Sequence, residues 1–239
     1  MKRRRFLSGA TRGLAVAAVG ASSLPSPAIA QGLRRLNMVT TWPRDFPGLG
    51  TGARRLAESI TRISGGKLTV EVFAAGERVP PFESFDAVSS GAADLYHAIE
   101  YYWQDRSRAF NFFAAVPFGL TAGEMAAWIY DGGGQALWDE LSAGFNIKPF
   151  QAGNTGAQMG GWYNKEINTI EDFRGLKIRL PGLGGEVAWR LGAIPVTLPG
   201  VEIFPSLLSG AIDATEWAGP WNDLALGFHK VAKHYYYPG

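Results

Sequence analysis

The chain of 239 residues has no cysteine, only three histidines, and no lysine- or arginine-rich run beyond residue 35. Without cysteine there is no disulfide, no thiolate nucleophile and no cysteine-based metal site, so an oxidising compartment is permitted but not exploited. His229 and His234 stand too far apart to pair on a metal along one helix, and His97 reads as a core or lining residue of a strand. No G-x-S-x-G elbow occurs, which removes the commonest serine-hydrolase arrangement. Nor is there an apolar run of roughly 20 residues to cross a bilayer. The stretch Leu14 to Ala21 stops at Ser22, Pro25 and Pro27.

What is present at the start is an export signal over residues 1–30: a basic opening, a moderately apolar middle and the small-residue end Ala28-Ile29-Ala30, with cleavage expected after Ala30. Arg3-Arg4-Arg5-Phe6-Leu7 resembles the twin-arginine motif of folded-protein export, the alternative being a plain secretory signal. The signal holds Lys2, Arg3, Arg4, Arg5 and Arg12 and no acid. Removing those five from 23 basic residues leaves 18 against 21 acidic ones, a mature net charge near −3. The basic balance of the whole chain is therefore no footprint for nucleic acid.

From Gly32 onward, short apolar strands alternate with helical periods. Leu36 to Thr40 reads as a strand. Leu49 to Ile63 has apolar residues every three or four positions, as a helix with one buried face requires, and Ser64-Gly65-Gly66 ends it. Lys67 to Phe73 alternates as a strand, Pro81 to Ser90 reads as a helix, and Ala92 to Ile99 as a strand. This order predicts parallel pairing with helices on both faces. Thr121 with Glu124 forms a capping box for a helix running toward Ala143 that Gly132-Gly133-Gly134 must kink or split. Strands are expected over Phe145 to Gln151, Gln158 to Asn164, Ile194 to Leu198 and Ile212 to Trp217. Helices are expected over Gly184 to Leu191, Val201 to Leu208 and Gly219 to Lys230. The expectation is an α/β, two-lobed fold with its ligand cleft between the lobes. Its first lobe covers 31–125, its second 126–215, and 216–239 crosses back toward the first. The aromatic run at Lys233 to Gly239 has no closing element after it, and a C-terminally truncated chain is expected.

The most informative stretch is Thr169 to Gly182, a short helix, a turn and a strand that delivers Arg179 to the strand's end. Ligands of open α/β sheets bind beyond the carboxyl ends of strands, where a guanidinium can grip a carboxylate with two parallel hydrogen bonds. The plainer alternative is a surface arginine on an edge strand. In Ile212 to Trp217, Glu216 falls on an otherwise apolar strand face, where a buried carboxylate needs a cation or a proton. If the strand ends at Thr215, Glu216 is merely solvated. Tyr101-Tyr102-Trp103 follows a strand end and either lines a cleft or packs the core. Asn154 either donates to a ligand or caps a turn.

The segments SGGKLTVEVFAAGE, DAVSSGAADLYHAIEYYW, NTGAQMGGWYNKEINTIEDFRGLKIRLPG and LLSGAIDATEWAGPWNDLALGFHKVAKHYYYPG resemble the solute-binding proteins of tripartite ATP-independent periplasmic (TRAP) transporters. Among these they are most similar to the 2-oxo acid binders, and FRGLKIR is the strongest signature. The resemblance implies a periplasmic receptor for a small organic acid anion such as pyruvate, serving TRAP membrane permease subunits and not acting as an enzyme. It also implies further helical structure beyond Gly239 that makes a homodimer in some members. By position it implies that Arg179 pairs with the ligand carboxylate, and that Gln158, Glu216 and Trp217 hold a cation, sodium or alternatively calcium, that bridges protein and ligand. Asn154 and Tyr102 are further candidates to touch the solute. Hard cations favour oxygen, and a carboxylate, an amide oxygen and the Trp217 main-chain carbonyl supply it, since indole only donates. The alternative from another class is an exported α/β enzyme acting on small organic acids, which would need an acid/base or nucleophile pair from a chain with no cysteine, few histidines and no G-x-S-x-G elbow.

Overall fold

The computed structural model describes residues 32–239, so the export signal expected over 1–30 lies outside the described residues. The first sheet holds β1 (Arg34–Thr40), β2 (Leu68–Phe73) and β3 (Leu95–His97), all parallel, in the order β2-β1-β3. Helix α1 (Leu49–Ile63) connects β1 to β2, and a 3-10 turn (Pro81–Glu83) running into α2 (Ser84–Ser89) connects β2 to β3. The observed α1 matches its expected bounds, because the apolar spacing continues to Ile63 and Ser64-Gly65-Gly66 offers nothing to prolong it.

After β3 come two 3-10 segments, Glu100–Trp103 and Arg108–Phe113, then α3 (Ala122–Tyr130) and α4 (Gly134–Ala143). Thr121 caps α3 through its hydroxyl, and Glu124 returns a bond to the Thr121 N–H at 2.8 Å. Gly133, at φ 86, splits the expected single helix in two.

The second sheet is mixed: β4 (Gly161–Tyr163), β5 (Lys177–Arg179), β6 (Ile194–Val196), β7 (Ala214–Thr215) and β8 (His234–Tyr236), in the order β6-β5-β7-β4-β8. Strand β5 runs parallel to β6 and β7, while β4 is antiparallel to β7 and β8. Helices α5 (Gly182–Arg190), α6 (Gly200–Ser209) and α7 (Pro220–Leu226) complete it. Pro195, which has no N–H, is accommodated on the edge strand β6.

Several expected elements are shorter or missing. Phe145 to Gln151 forms no strand: Asn146 takes φ 59, Pro149 lacks a donor, and Gln135 of α4 holds the Pro149 carbonyl at 3.0 Å. Of Gln158 to Asn164 only β4 pairs, since Gly161 at φ 101 bends the chain so closely that a Cβ there would lie 2.5 Å from the Thr215 carbonyl oxygen. Gly227 in the left-handed region stops α7 at Leu226, short of Lys230. In the segment 216–239, Asn222 donates to the Pro47 carbonyl in the β1–α1 loop at 2.7 Å, and the chain then pairs with β4 of the second sheet as β8.

Two switch points organise the molecule. From β1 the chain goes to β2 on one side and β3 on the other; from β5 it goes to β6 on one side and β7 on the other. Crevices at the carboxyl ends of such strands are where α/β folds bind ligands. Here both open onto one aromatic core. Trp42 and Phe46 beyond β1, Tyr101, Tyr102 and Trp103 beyond β3, and Trp217 beyond β7 belong to a single buried cluster. A smaller core of Tyr163, Leu176, Ile178, Ala188, Ala193 and Ala214 supports the second sheet from below.

Candidate functional site

Arg179 ends β5 and is completely buried, in contrast to the exposed Lys177 two residues earlier. A 3-10 turn over Ile170–Phe173 and Gly175 at φ 71 lead into the strand. The guanidinium is tethered three times: Nε donates to the Leu198 carbonyl at 3.1 Å, Nη1 to the Glu216 carbonyl at 3.0 Å, and Nη2 to the Tyr102 hydroxyl at 3.2 Å. Its carbon lies 4.9 Å from the Trp217 ring centroid. A guanidinium carries five N–H groups. Three are used, and two remain, one on each terminal nitrogen. That pair is the inventory a carboxylate needs.

Glu216 follows β7 directly. The strand stops at Thr215, as the alternative foresaw, yet the carboxylate is not solvated, its side chain being only 13% exposed. Oε2 lies 4.0 Å from Arg179 Nη1, and Oε1 is buried with no hydrogen-bond partner among the described residues. Burial pushes this carboxyl up to about 8, against the pull of Arg179 and with the help of the Asp223 charge. Trp217 is buried, with its ring edge-on to Trp42 at 6.3 Å and to Phe46 at 6.1 Å. Its carbonyl accepts no hydrogen bond among the described residues.

Gln158 lies on the segment that docks beside this turn, for Met159 N–H donates to the Ala218 carbonyl at 3.0 Å. Its Nε2 donates to Thr155 at 2.9 Å, leaving the amide oxygen free. Gln158 and Glu216 line one open cavity together with Tyr101 and Leu180, and Arg179, which does not line it, bonds the Glu216 main-chain carbonyl. An orphaned carboxylate oxygen, a free amide oxygen and a free carbonyl make an all-oxygen donor set that fits a hard cation. Among the described residues no group of three His, Cys, Asp or Glu side chains is placed to hold a metal.

Tyr102 is buried on the 3-10 segment after β3, and it brings a hydroxyl from the first sheet's side to Arg179. Burial pushes its phenol up, against the effect of Arg179. Asn154 is exposed, and its side-chain oxygen caps a turn by accepting from Gly156 N–H at 2.7 Å. It lines the same open cavity as Gln158 and Glu216, but among the described residues it makes no hydrogen bond to Arg179 or Glu216. His97 accepts from Trp42 Nε1 at 2.7 Å, and burial lowers its imidazole to about 4, so it is neutral. Two participants had no sequence signal: the Leu198 carbonyl, which any residue type supplies, and Asp223, a helical acid that looks solvent-facing until the fold buries it.

Two facing switch points with a tethered arginine between them define an α/β solute-binding fold. A family model for bacterial extracellular solute-binding protein, family 7 (DctP), matches residues 38–239. The chain belongs to that family. That family is one of extracellular solute-binding proteins, its similar members are named as binding proteins, and the reading as an exported enzyme is set aside. The monocarboxylate 2-oxoacid-binding periplasmic protein of Nostoc sp. is 44% identical over the whole of this chain and 66% of its own length. A TRAP periplasmic solute-binding protein of Pseudoalteromonas atlantica, solved with sodium and pyruvate bound, is 43% identical with a TM-score of 0.83, over 85% of this chain and 62% of that one. One from Bordetella bronchiseptica, a mixed-occupancy dimer with calcium and picolinate, is 40% identical with a TM-score of 0.85, over 87% and 62%. The chain thus spans a little under two thirds of the length of these relatives.

Proposed function

We propose that this protein is the solute receptor of a TRAP transporter, that it binds a small 2-oxo monocarboxylate such as pyruvate together with sodium or calcium, and that it hands the solute to membrane permease subunits. The observation that carries this reading is Arg179, fully buried yet with two N–H groups uncommitted, beside a Glu216 oxygen that has no partner. In this reading Arg179 takes the solute carboxylate, and Tyr102 and the Trp217 ring fix the guanidinium. Glu216, Gln158 and the Trp217 carbonyl hold the cation, which supplies positive charge next to the solute's oxygens. Asn154 contributes from its loop only if that loop closes over the solute. Arginine with a monocarboxylate is neutral, and so is glutamate with sodium, so anion and cation enter together. The expected lobes, 31–125 and 126–215, would close on the solute because contacts from both favour the closed state.

Calorimetry of the full chain with pyruvate, with and without sodium, tests this. Binding that requires the cation is expected. Tight binding in cation-free buffer would remove the cation from the site, and no binding of any 2-oxo monocarboxylate would overturn the solute assignment.

A further inference from the structure

A second buried acid, Asp223 of α7, sits against the same turn and has no task in the account above. It is 1% exposed. Its Oδ2 accepts from Trp162 Nε1 at 3.0 Å and its Oδ1 from the Ala218 N–H at 3.3 Å. Both donors are N–H groups, which can only donate, and they oppose the burial that pushes the Asp223 carboxyl upward. The arrangement suits the ionised carboxylate, whose bonds to N–H groups are the stronger kind. Among the described residues no lysine, arginine or histidine forms a salt bridge with it.

Its position is fixed relative to the candidate cation ligands. Ala218 directly follows Trp217, and Trp162 lies opposite Thr215 in the β4–β7 ladder, the residue that precedes Glu216. The Trp162 ring is stacked on Tyr235 at 4.2 Å, which holds the indole donor in place.

The charges then decide between cations. Arg179 cancels the solute carboxylate. With a cation bound and Glu216 ionised, Glu216 and Asp223 together carry two negative charges, which sodium leaves at −1 and a divalent ion brings to zero. Net buried charge is costly, so the neutral combination is favoured. We propose that Asp223 is a specificity-determining residue of the cation site, biasing it toward a divalent ion such as calcium over sodium without ligating the ion itself. This rests on the receptor reading above.

A charge acting at a distance leaves a signature that a structural role does not. The interaction scales with the product of charges, so a divalent ion gains twice the free energy that a monovalent one gains from the same carboxylate. In the full chain with pyruvate held saturating, sodium and calcium are titrated by calorimetry into the parent and into Asp223→Asn. If the variant weakens sodium about tenfold, it should weaken calcium about a hundredfold, roughly the square. Loss of both ions by the same factor, or of neither, overturns the proposal. Trp162→Phe keeps the carboxylate and removes one of its donors, and it should preserve the calcium-to-sodium ratio; a collapse of the ratio there assigns the effect to geometry and overturns the proposal. Should Asp223→Asn fail to fold, judged by its melt without cation, Asp223→Ser is held to the same squared relation. A parent that binds pyruvate with no cation requirement sinks the cation half of the receptor reading and this proposal with it. A cation-dependent parent with equal losses in the variant sinks only the role of Asp223.

Discussion

Replacing Arg179 with lysine keeps the charge and removes the fork. The guanidinium has three N–H groups committed to the Leu198 carbonyl, the Glu216 carbonyl and the Tyr102 hydroxyl, with two left for a carboxylate. An ammonium has three donors from one point and cannot meet five demands in a plane. If it serves the solute, buried acceptors around it lose their partner. Each such loss costs roughly 1–3 kcal/mol, the Leu198 carbonyl being the plainest case, since the Glu216 carbonyl keeps a bond from the Thr215 hydroxyl at 3.1 Å. A missing second charge-assisted bond to the carboxylate adds roughly 1.5–3 kcal/mol. Together these put the loss near 3–5 kcal/mol, or about two to four orders of magnitude in affinity. Arg179→Ala, which strands the solute's charge as well, should bind nothing measurable. The assay is calorimetry with pyruvate at saturating cation, with thermal melts to show that both variants fold. Arg179→Lys binding pyruvate within about threefold of the parent would refute the five-donor account, because such a loss is below 1 kcal/mol.

Two further outcomes follow from the buried groups. Glu100 is 8% exposed, its Oε1 accepts from the Tyr96 hydroxyl at 3.0 Å, and its Oε2 has no partner; burial pushes the carboxyl up to about 7 in spite of the Tyr96 bond. The folded chain therefore keeps a proton that the unfolded chain releases, and stability should fall as pH rises from about 4.5 to about 7, by roughly 3 kcal/mol at most. Glu100→Gln should flatten denaturant midpoints across that window, and parallel profiles for parent and variant would count against it. At Gly200 a new Cβ would sit 2.7 Å from the Trp217 ring. Gly200→Ala should displace that ring from Arg179, weaken pyruvate binding about tenfold and shift tryptophan emission; unchanged affinity would show that the ring's position is immaterial.

Much of the architecture was legible because it rests on periodicity and punctuation. The bounds of α1 come from its apolar spacing and the Ser64-Gly65-Gly66 stop, and the first sheet's parallel order from its helical crossovers. The short strands of the second sheet were harder. Ala214–Thr215 is only two residues long, and its limits depend on what Arg179 and Gly161 do on neighbouring strands, which no local pattern encodes. Within the site, Arg179 and Glu216 were found as charges at the ends of apolar runs, and Tyr102 as an aromatic after a strand. Their convergence was not visible, because it depends on how two switch points face each other. Asp223 could not be found at all: its burial is set by Trp162, which lies 61 residues earlier in the chain.

The three tethers on Arg179 also bear on how selective such a receptor can be. A free arginine side chain surrenders up to about 2 kcal/mol of rotamer entropy when a ligand immobilises it, and it can shift to follow ligands of different shape. This one has already surrendered that freedom during folding, so in the proposed reading it would meet every solute carboxylate from the same place and at the same angle. On that reading, the carboxylate end would be recognised in one fixed geometry. Variety has to be accommodated at the other wall, where the exposed segment from Ala152 to Ala157 is joined to the body by few bonds. A rigid socket opposite an adaptable one is consistent with relatives that hold solutes as unlike in bulk as pyruvate and picolinate, both of them carboxylates.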